Sequence, residues 1–560
     1  MRFNKLTLIS TSIAVMLLSA CGGSDDNIGG GSSVGTPLPP VASINSQARY
    51  QIVFKNAITG KVITDRLSVT FTGAAELKAA DGTSLNGKTI TITTGIVGLG
   101  ASFSATAKDF LVEAGNPLLG WVETGTRVLG DSSVSGDKTL ELLLVNTNQA
   151  AAINASTAPV TMATATGTVT ASGAVSVPVS LATPTKTVIN AEGVSETVGS
   201  STLNLPVGVI GTTASGQLPA AGPLKVSVVN YANSNVNSLT AFPGGFAATV
   251  TGAPASVLNG VGANAGTFIT GGFAQFNVND SNGNAIKNFT QPIALSIDFP
   301  KTTLSANGTT VLKPGDLYPV WSYDDDTGTW KYEKEGTVAE KTPVDPNNYT
   351  VKFTTNHLSS WNLGFYVASC TGRINLTGRP AGDTRQLDVE VTGITGRRFS
   401  QQGTLTDSQL NLERSPIGAK VTVVVKDQGE IVGSVANEFL CNGPNTNPIS
   451  VPVVLRSVPV GTVRVETSES CPNGSLQQAL PTFTYMSNGT AEISGYTLAA
   501  SGATVAVKDF TSVLTGAKQI YALNPRTNVY TSKSVSVTAN GTVKAEFNFP
   551  NLTCPTGAGS

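Results

Sequence analysis

One residue in this 560-residue chain is unique among those able to do chemistry: His357, in the stretch FTTNHLSSWNLGFY, is its sole histidine. A Ser-His-Asp relay would need a positioned nucleophile, and although Ser359 and Ser360 are near in sequence, neither occupies a Gly-x-Ser-x-Gly turn. A metal centre would need two or three further strong ligands around this single imidazole. The residue types therefore favour a structural His357, donating to a backbone carbonyl or to an Asp or Asn where a strand enters its sheet, with Trp361 filling the same corner. Asp324 and Asp326 could open a calcium loop, as could Asp280, Asn282 and Asn284, but neither set ends in the bidentate Glu that such loops use. Both read better as hairpin turns, so no metal and no cofactor is expected. Two carboxylates could in principle form a glycosidase pair, but nothing singles out a pair among 36 acids. An envelope hydrolase stays the weakest alternative, and the expectation is a protein without catalysis.

Aromatic residues offer the better binding candidates. In YPVWSYDDDTGTWKYEKEG, Trp321 and Tyr323 share one face of a first strand, and Trp330 and Tyr332 share one face of the second. Exposed, these rings with carboxylates at the turn would suit a glycan; buried, they would be core. A chain with only 6% aromatic residues should place such rings in packing.

The positioning elements follow from composition. Charged residues make up only 13% of the chain, about half the usual share, so Ser, Thr, Asn and Gly must supply solubility. With 59 Gly, many Val and Thr, and few helix-forming runs, strands and tight turns are favoured, and an all-β class is expected. A net charge of −1 without Lys/Arg clusters argues against nucleic acid as a partner. At about 150 residues per domain, the length suggests roughly three or four domains.

The N-terminus MRFNKLTLISTSIAVMLLSAC has Arg2 and Lys5, an apolar run from Leu6 too short for the ~20 residues of a spanning helix, and small residues before Cys21. It resembles a bacterial lipoprotein signal. That resemblance implies cleavage after residue 20, acyl chains on Cys21 and attachment to a membrane. Gly22, where an Asp would favour inner-membrane retention, implies the outer membrane, facing the periplasm or the cell surface. Residues 21–45, GGSDDNIGGGSSVGTPLPP after the cysteine, read as a flexible tether with a stiffer Pro-rich end. The remaining cysteines, Cys370, Cys441, Cys471 and Cys554, lie in a chain bound for an oxidising compartment, so two disulfides are expected. Of the three connectivities, Cys370–Cys441 with Cys471–Cys554 is preferred because each pair brackets one strand-rich block.

Four blocks follow the tether: 46–147, 148–369, 370–450 and 451–555, before a tail at 556–560. In the first, Tyr50, Ile52 and Phe54 alternate on one strand face, as do Leu67, Val69 and Phe71, then Leu140, Leu142 and Leu144. Its turn NAITGKVI and a strand leading into KDF resemble carboxypeptidase regulatory-like or transthyretin-like sandwiches, which imply a small β-sandwich without catalytic residues. SATAKDF, TVVVKDQ and TVAVKDF recur near Phe110, Gln428 and Phe510, suggesting related sandwiches in blocks one, three and four. Val421, Val423 and Val425 alternate in block three; Val535 and Val537 precede an Asn540-Gly541 hairpin turn in block four. Block two opens with a low-complexity segment to about residue 200, continues in PLKVSVVNY, GFAQFNVND and QPIALSIDF, and ends in a Gly-x-Trp hairpin, a Glu-Gly turn and His357-x-Ser-x-Trp-Asn. That ending resembles the extracellular sandwich modules of cartilage intermediate layer protein and similar bacterial surface proteins. The expectation is a tandem array of immunoglobulin-like or transthyretin-like sandwiches acting as a scaffold, spacer or adhesive binding module, with a glycan or an envelope or surface protein as partner. A glycan-binding protein using the four rings is the alternative.

Overall fold

The computed structural model of the chain describes residues 48–550, apart from short internal stretches of which 104–108, 130–136, 442–447 and 488–491 are the longest. The expected leader, tether and tail, with Cys21 and Cys554, lie outside the described residues, as does Asp326. The described chain is all-β: its α-helices are confined to Ala150–Ala155, Val236–Leu239 and Ala255–Leu258.

The first sandwich faces two four-stranded sheets. Strand Ala48–Asn56 lies between Ile96–Ser102, antiparallel, and Asp137–Leu144, parallel; Leu67–Gly73 lies between Lys88–Ile92 and Asp109–Asn116 in the other sheet. The alternation works as expected on the inner face, where Tyr50, Ile52, Phe54, Leu67, Val69, Phe71, Leu142 and Leu144 are buried and Leu140 packs partly against them.

The outer face of this sheet is also covered. Val53 and Ile96 are buried against Phe483, Tyr485, Tyr496 and Leu523 of the last sandwich, so the two ends of the described chain dock. The sequence permits it through small residues in the strand IVGLGAS: a Cβ on Gly98 would lie 2.5 Å from the Tyr496 hydroxyl and 3.0 Å from Phe483 Cβ. The Tyr496 hydroxyl donates to the Tyr50 carbonyl at 3.2 Å, and the Arg49 guanidinium lies 5.6 Å from the Tyr496 ring centre.

In the central sandwich a long sheet curls on itself. Val160–Val169, Gly222–Tyr231, Gly266–Asn279, Ser360–Thr377 and Leu317–Asp324 lead through Thr329–Glu340 and Asn348–His357 to Asn288–Pro300, Ser201–Leu205 and Val179–Ala182. Its inward Val, Leu, Ile and Phe side chains, among them Val226, Phe276, Leu295 and Ile297, form one core.

Strand Ser360–Thr377 is 18 residues long and serves two sandwiches. Its first half pairs with Gly266–Asn279 and Leu317–Asp324, its second with Gln409–Pro416 and Ile449–Pro452. The expected boundary between blocks at 369 and 370 therefore falls inside one strand. Arg414, at a left-handed φ of 55°, fastens the joint: Nε donates to Gly266 O at 3.0 Å, Nη1 to Ala247 O at 2.5 Å, and Nη2 to Ala248 O at 2.6 Å and the Tyr366 hydroxyl at 2.9 Å. Val421, Val423 and Val425 are fully buried in the third sandwich.

Two local expectations change. Asp109 opens a strand, Asp427 closes one and Asp509 sits inside Val505–Leu514, so the Lys-Asp recurrence is not one repeated strand end. Each of these aspartates instead pairs with an arginine, Arg127, Arg385 and Arg464 respectively. Asn540 does take a positive φ of 55°, but its turn is no hairpin: Tyr530–Val537 pairs with Gly516–Leu523, whereas Thr542–Pro550 crosses to the other sheet beside Val460–Ser470.

Two substitutions check this architecture. Arg414→Ala leaves several buried carbonyls without their donor and lowers stability by roughly 1–3 kcal/mol or more in urea denaturation. Gly98→Leu forces the first and last sandwiches apart, raising hydrogen exchange across Thr482–Ser487 and Glu492–Thr497 while Val421 to Val425 stay protected.

Candidate functional site

The aromatic hairpin is core. A β-bulge between Val320 and Trp321 sets Trp321 opposite Tyr332 and Tyr323 opposite Trp330. Trp321, Tyr323 and Trp330 are at most 2% exposed, and Tyr332 packs edge-on to Trp321 with ring centres 5.4 Å apart. The segment carrying Phe242 and Phe246 covers this face, so Trp330 stacks on Phe242 at 4.9 Å and Trp321 meets Phe268 edge-on at 5.2 Å. Both indole N–H groups are satisfied, Trp321 by Gly364 O at 2.8 Å and Trp330 by Pro243 O at 2.9 Å. The expected placement in packing holds for Trp321, Tyr323 and Trp330, whose buried rings leave no face for a sugar, while Tyr332 is half-buried, so the alternative of a glycan platform on these four rings is corrected.

His357 is held by an acid other than the Asp, Asn or carbonyl expected. Its Nε2 lies 3.2 Å from Glu333 Oε1, and its ring stacks on the buried Trp361 at 5.0 Å. Glu333 also accepts from Ser322 Oγ at 2.8 Å and pairs with Lys331 at 3.1 Å. Burial alone would raise the Glu333 carboxyl, but the hydrogen bonds from His357, Ser322 and Lys331 outweigh it and hold the pKa at about 2. Ser359 Oγ donates to the Tyr323 carbonyl. The neighbouring serine is thus engaged by backbone, and the arrangement braces a sheet corner.

The acidic turns are likewise internally bonded. Asp280 accepts from the backbone N–H groups of Ala220, Asn282 and Asn284, each at 2.9 Å, and from Asn284 Nδ2 at 3.0 Å. These bonds lower its pKa against the opposing effect of burial. Asn282 and Asn284 serve the same turn, and the Asp324 carboxylate accepts from Thr327 N–H at 3.2 Å. Cys370 and Cys441 are bonded as expected, with Cα atoms 6.6 Å apart. Cys471 is disulfide-bonded as well, while Cys554, its expected partner, lies outside the described residues.

What the residue patterns missed is a cleft of about 420 Å³ between the first and central sandwiches. Its floor is the outward face of three neighbouring strands, and Trp121, Glu123, Thr147 and Asn148 of the first sandwich wall it on the other side. Glu123 is open to solvent there yet has protein on most sides, so burial raises its pKa, countered by Lys287 and reinforced by Asp325. Lys287 pairs with Asp325 at 3.0 Å. The readable signal was the polar half of PLKVSVVNY and of the low-complexity segment, but the opposing wall comes from another block.

No protein-family model matches the chain, and no curated protein does. Among solved structures, a leucine-rich repeat protein from Bacteroides thetaiotaomicron aligns at 16% identity over 32% of this chain and 26% of its own, with a TM-score of 0.15. This chain therefore spans about a quarter of that protein's length. BcpA, the major pilin subunit of Bacillus cereus, aligns at 9% identity over 90% and 98%, TM-score 0.12. The full-length RrgB pilus protein from Streptococcus pneumoniae aligns at 8% identity over 92% and 100%, TM-score 0.14. The fold of this chain rests on its own strand pairings.

Trp330→Ala, which empties the centre of the aromatic core, lowers stability by about 3–5 kcal/mol in urea denaturation. Glu333, depressed from its usual 4.5 to about 2, contributes stability that is complete above pH 4.5 and disappears as the pH falls toward 2. Thermal melts of Glu333→Gln therefore lose part of the acid-side slope that the parent protein shows across that window.

Proposed function

We propose that this chain is a lipid-anchored protein of a bacterial outer envelope, attached through Cys21 and serving as a non-catalytic scaffold, spacer or adhesive body. The observation that carries the reading is the absorption of its chemical candidates into packing: His357, Ser359, Asp280 and the aromatic hairpin all brace strands or turns. Sandwiches that dock on one another present a rigid body, which suits a platform on a tether. The lipoprotein-like leader, with Gly22 after the cysteine, supports the anchor and the outer membrane.

Metabolic labelling with a palmitate analogue tests the anchor. The parent protein incorporates label and sediments with membranes, and Cys21→Ala loses both properties; an unlabelled parent, or a Cys21→Ala protein that still incorporates label, overturns it. Protease treatment of intact and permeabilised cells then separates a surface platform, cleaved in both, from a periplasmic one, cleaved only after permeabilisation.

A further inference from the structure

The cleft between the first and central sandwiches has the composition of a binding site. Its floor arises from ordinary strand alternation. Along Val160–Val169, Gly222–Tyr231 and Gly266–Asn279, Val226, Val228, Phe276 and Val278 point into the core, so the residues between them point out. Strand register aligns the outward ones in two rows: Thr166, Lys225 and Asn279, then Thr164, Ser227 and Asn277. Cross-strand neighbours stand about 4.5–5.5 Å apart, so six hydrogen-bonding side chains form a grid.

The grid deepens across the sheet. Thr164 and Thr166 are exposed on the outermost strand, whereas Ser227 is only 5% exposed. Beside it, Asn277 Nδ2 is buried without a hydrogen-bond partner. A buried donor without a partner is destabilising, a cost that a ligand's hydroxyl would remove. Asn279 is tied back to Gly283 O at 3.4 Å. Lys225 is exposed and forms no ion pair among the described residues.

These features discriminate between ligand classes. An apolar molecule would strand Ser227, Asn277 and Lys225. A divalent cation would meet Lys225 and Lys287, and a multiply charged phosphate would meet Glu123. Trp121 and Phe276, at 2% and 1% exposure, offer no ring face for stacking. A ring bearing several hydroxyls matches the grid, one carboxylate matches the unpaired Lys225, and Glu123, opposite, can bond hydroxyls. About 420 Å³ lies within the range of small-molecule sites.

We propose that this cleft binds a sugar acid, a polyhydroxylated ring with a single carboxylate, with Thr164, Ser227 and Asn277 bonding its hydroxyls and Lys225 its carboxylate. The inference goes beyond the scaffold role and does not depend on it.

The test is calorimetric titration of the full-length protein with glucuronate and galacturonate, with glucose and succinate as the hydroxyl-only and carboxylate-only probes. Saturable binding of at least one sugar acid is expected, at least tenfold tighter than glucose or succinate. Lys225→Ala, at an exposed position, and Ser227→Ala each weaken it tenfold or more, while circular dichroism and the melting temperature of Lys225→Ala match the parent. Absence of saturable binding to both sugar acids, equal binding of glucose, or binding that both variants leave unchanged overturns the proposal.

Discussion

The hydroxyl of Tyr366 is the point on which the middle of this protein turns. It accepts from Gly266 N–H at 2.9 Å and from Arg414, and it lies within 3.0 Å of Ala248 O and 3.1 Å of Ala263 O. Tyr366 stands on the strand that two sandwiches share, its ring is fully enclosed, and the guanidinium reaches it from the third sandwich. Backbone ladder, aromatic core and charged clamp thus converge on one residue. Because the strand is continuous, the central and third sandwiches cannot hinge at their junction without breaking ladder hydrogen bonds. The aromatic cluster of Trp321, Trp330 and Phe268 inherits its rigidity from the same strand.

Much of the fold was legible locally. Alternation placed Tyr50, Leu67, Val421 and their partners on inward faces because a strand's period of two needs no knowledge of the neighbouring sheet. The structural role of His357 was legible from what the chain lacks around it. Its partner was not, since Glu333 comes from a hairpin strand 24 residues away. The aromatic rings show the limit more sharply: alternation put Trp321 and Tyr323 on one face, but whether that face meets water depends on Phe242 and Phe246, which no period connects to them. The docking of the terminal sandwiches is further still from local pattern, with Tyr496 and Tyr50 446 positions apart. There the only trace was a strand with glycine where a side chain would obstruct.

The scarcity of charge explains why polar side chains recur in aligned rows. With Asp, Glu, Lys and Arg held to 13% of the chain, the outward half of each strand is filled by Thr, Ser and Asn. On an open face those groups meet solvent. Where a second sandwich stands opposite them, as Trp121 to Glu123 do, the same residues line a cleft of donors and acceptors. One alternation therefore makes core on one side of the central sheet and a polar cleft on the other.

The placement of Ala48–Asn56 has a mechanical consequence. This strand is the first described element, and it lies inside its sheet, flanked on both sides and capped by the last sandwich. A pull applied along this strand's own axis loads its hydrogen bonds in shear and together rather than peeling them one by one. Along that axis, traction is resisted by a whole ladder.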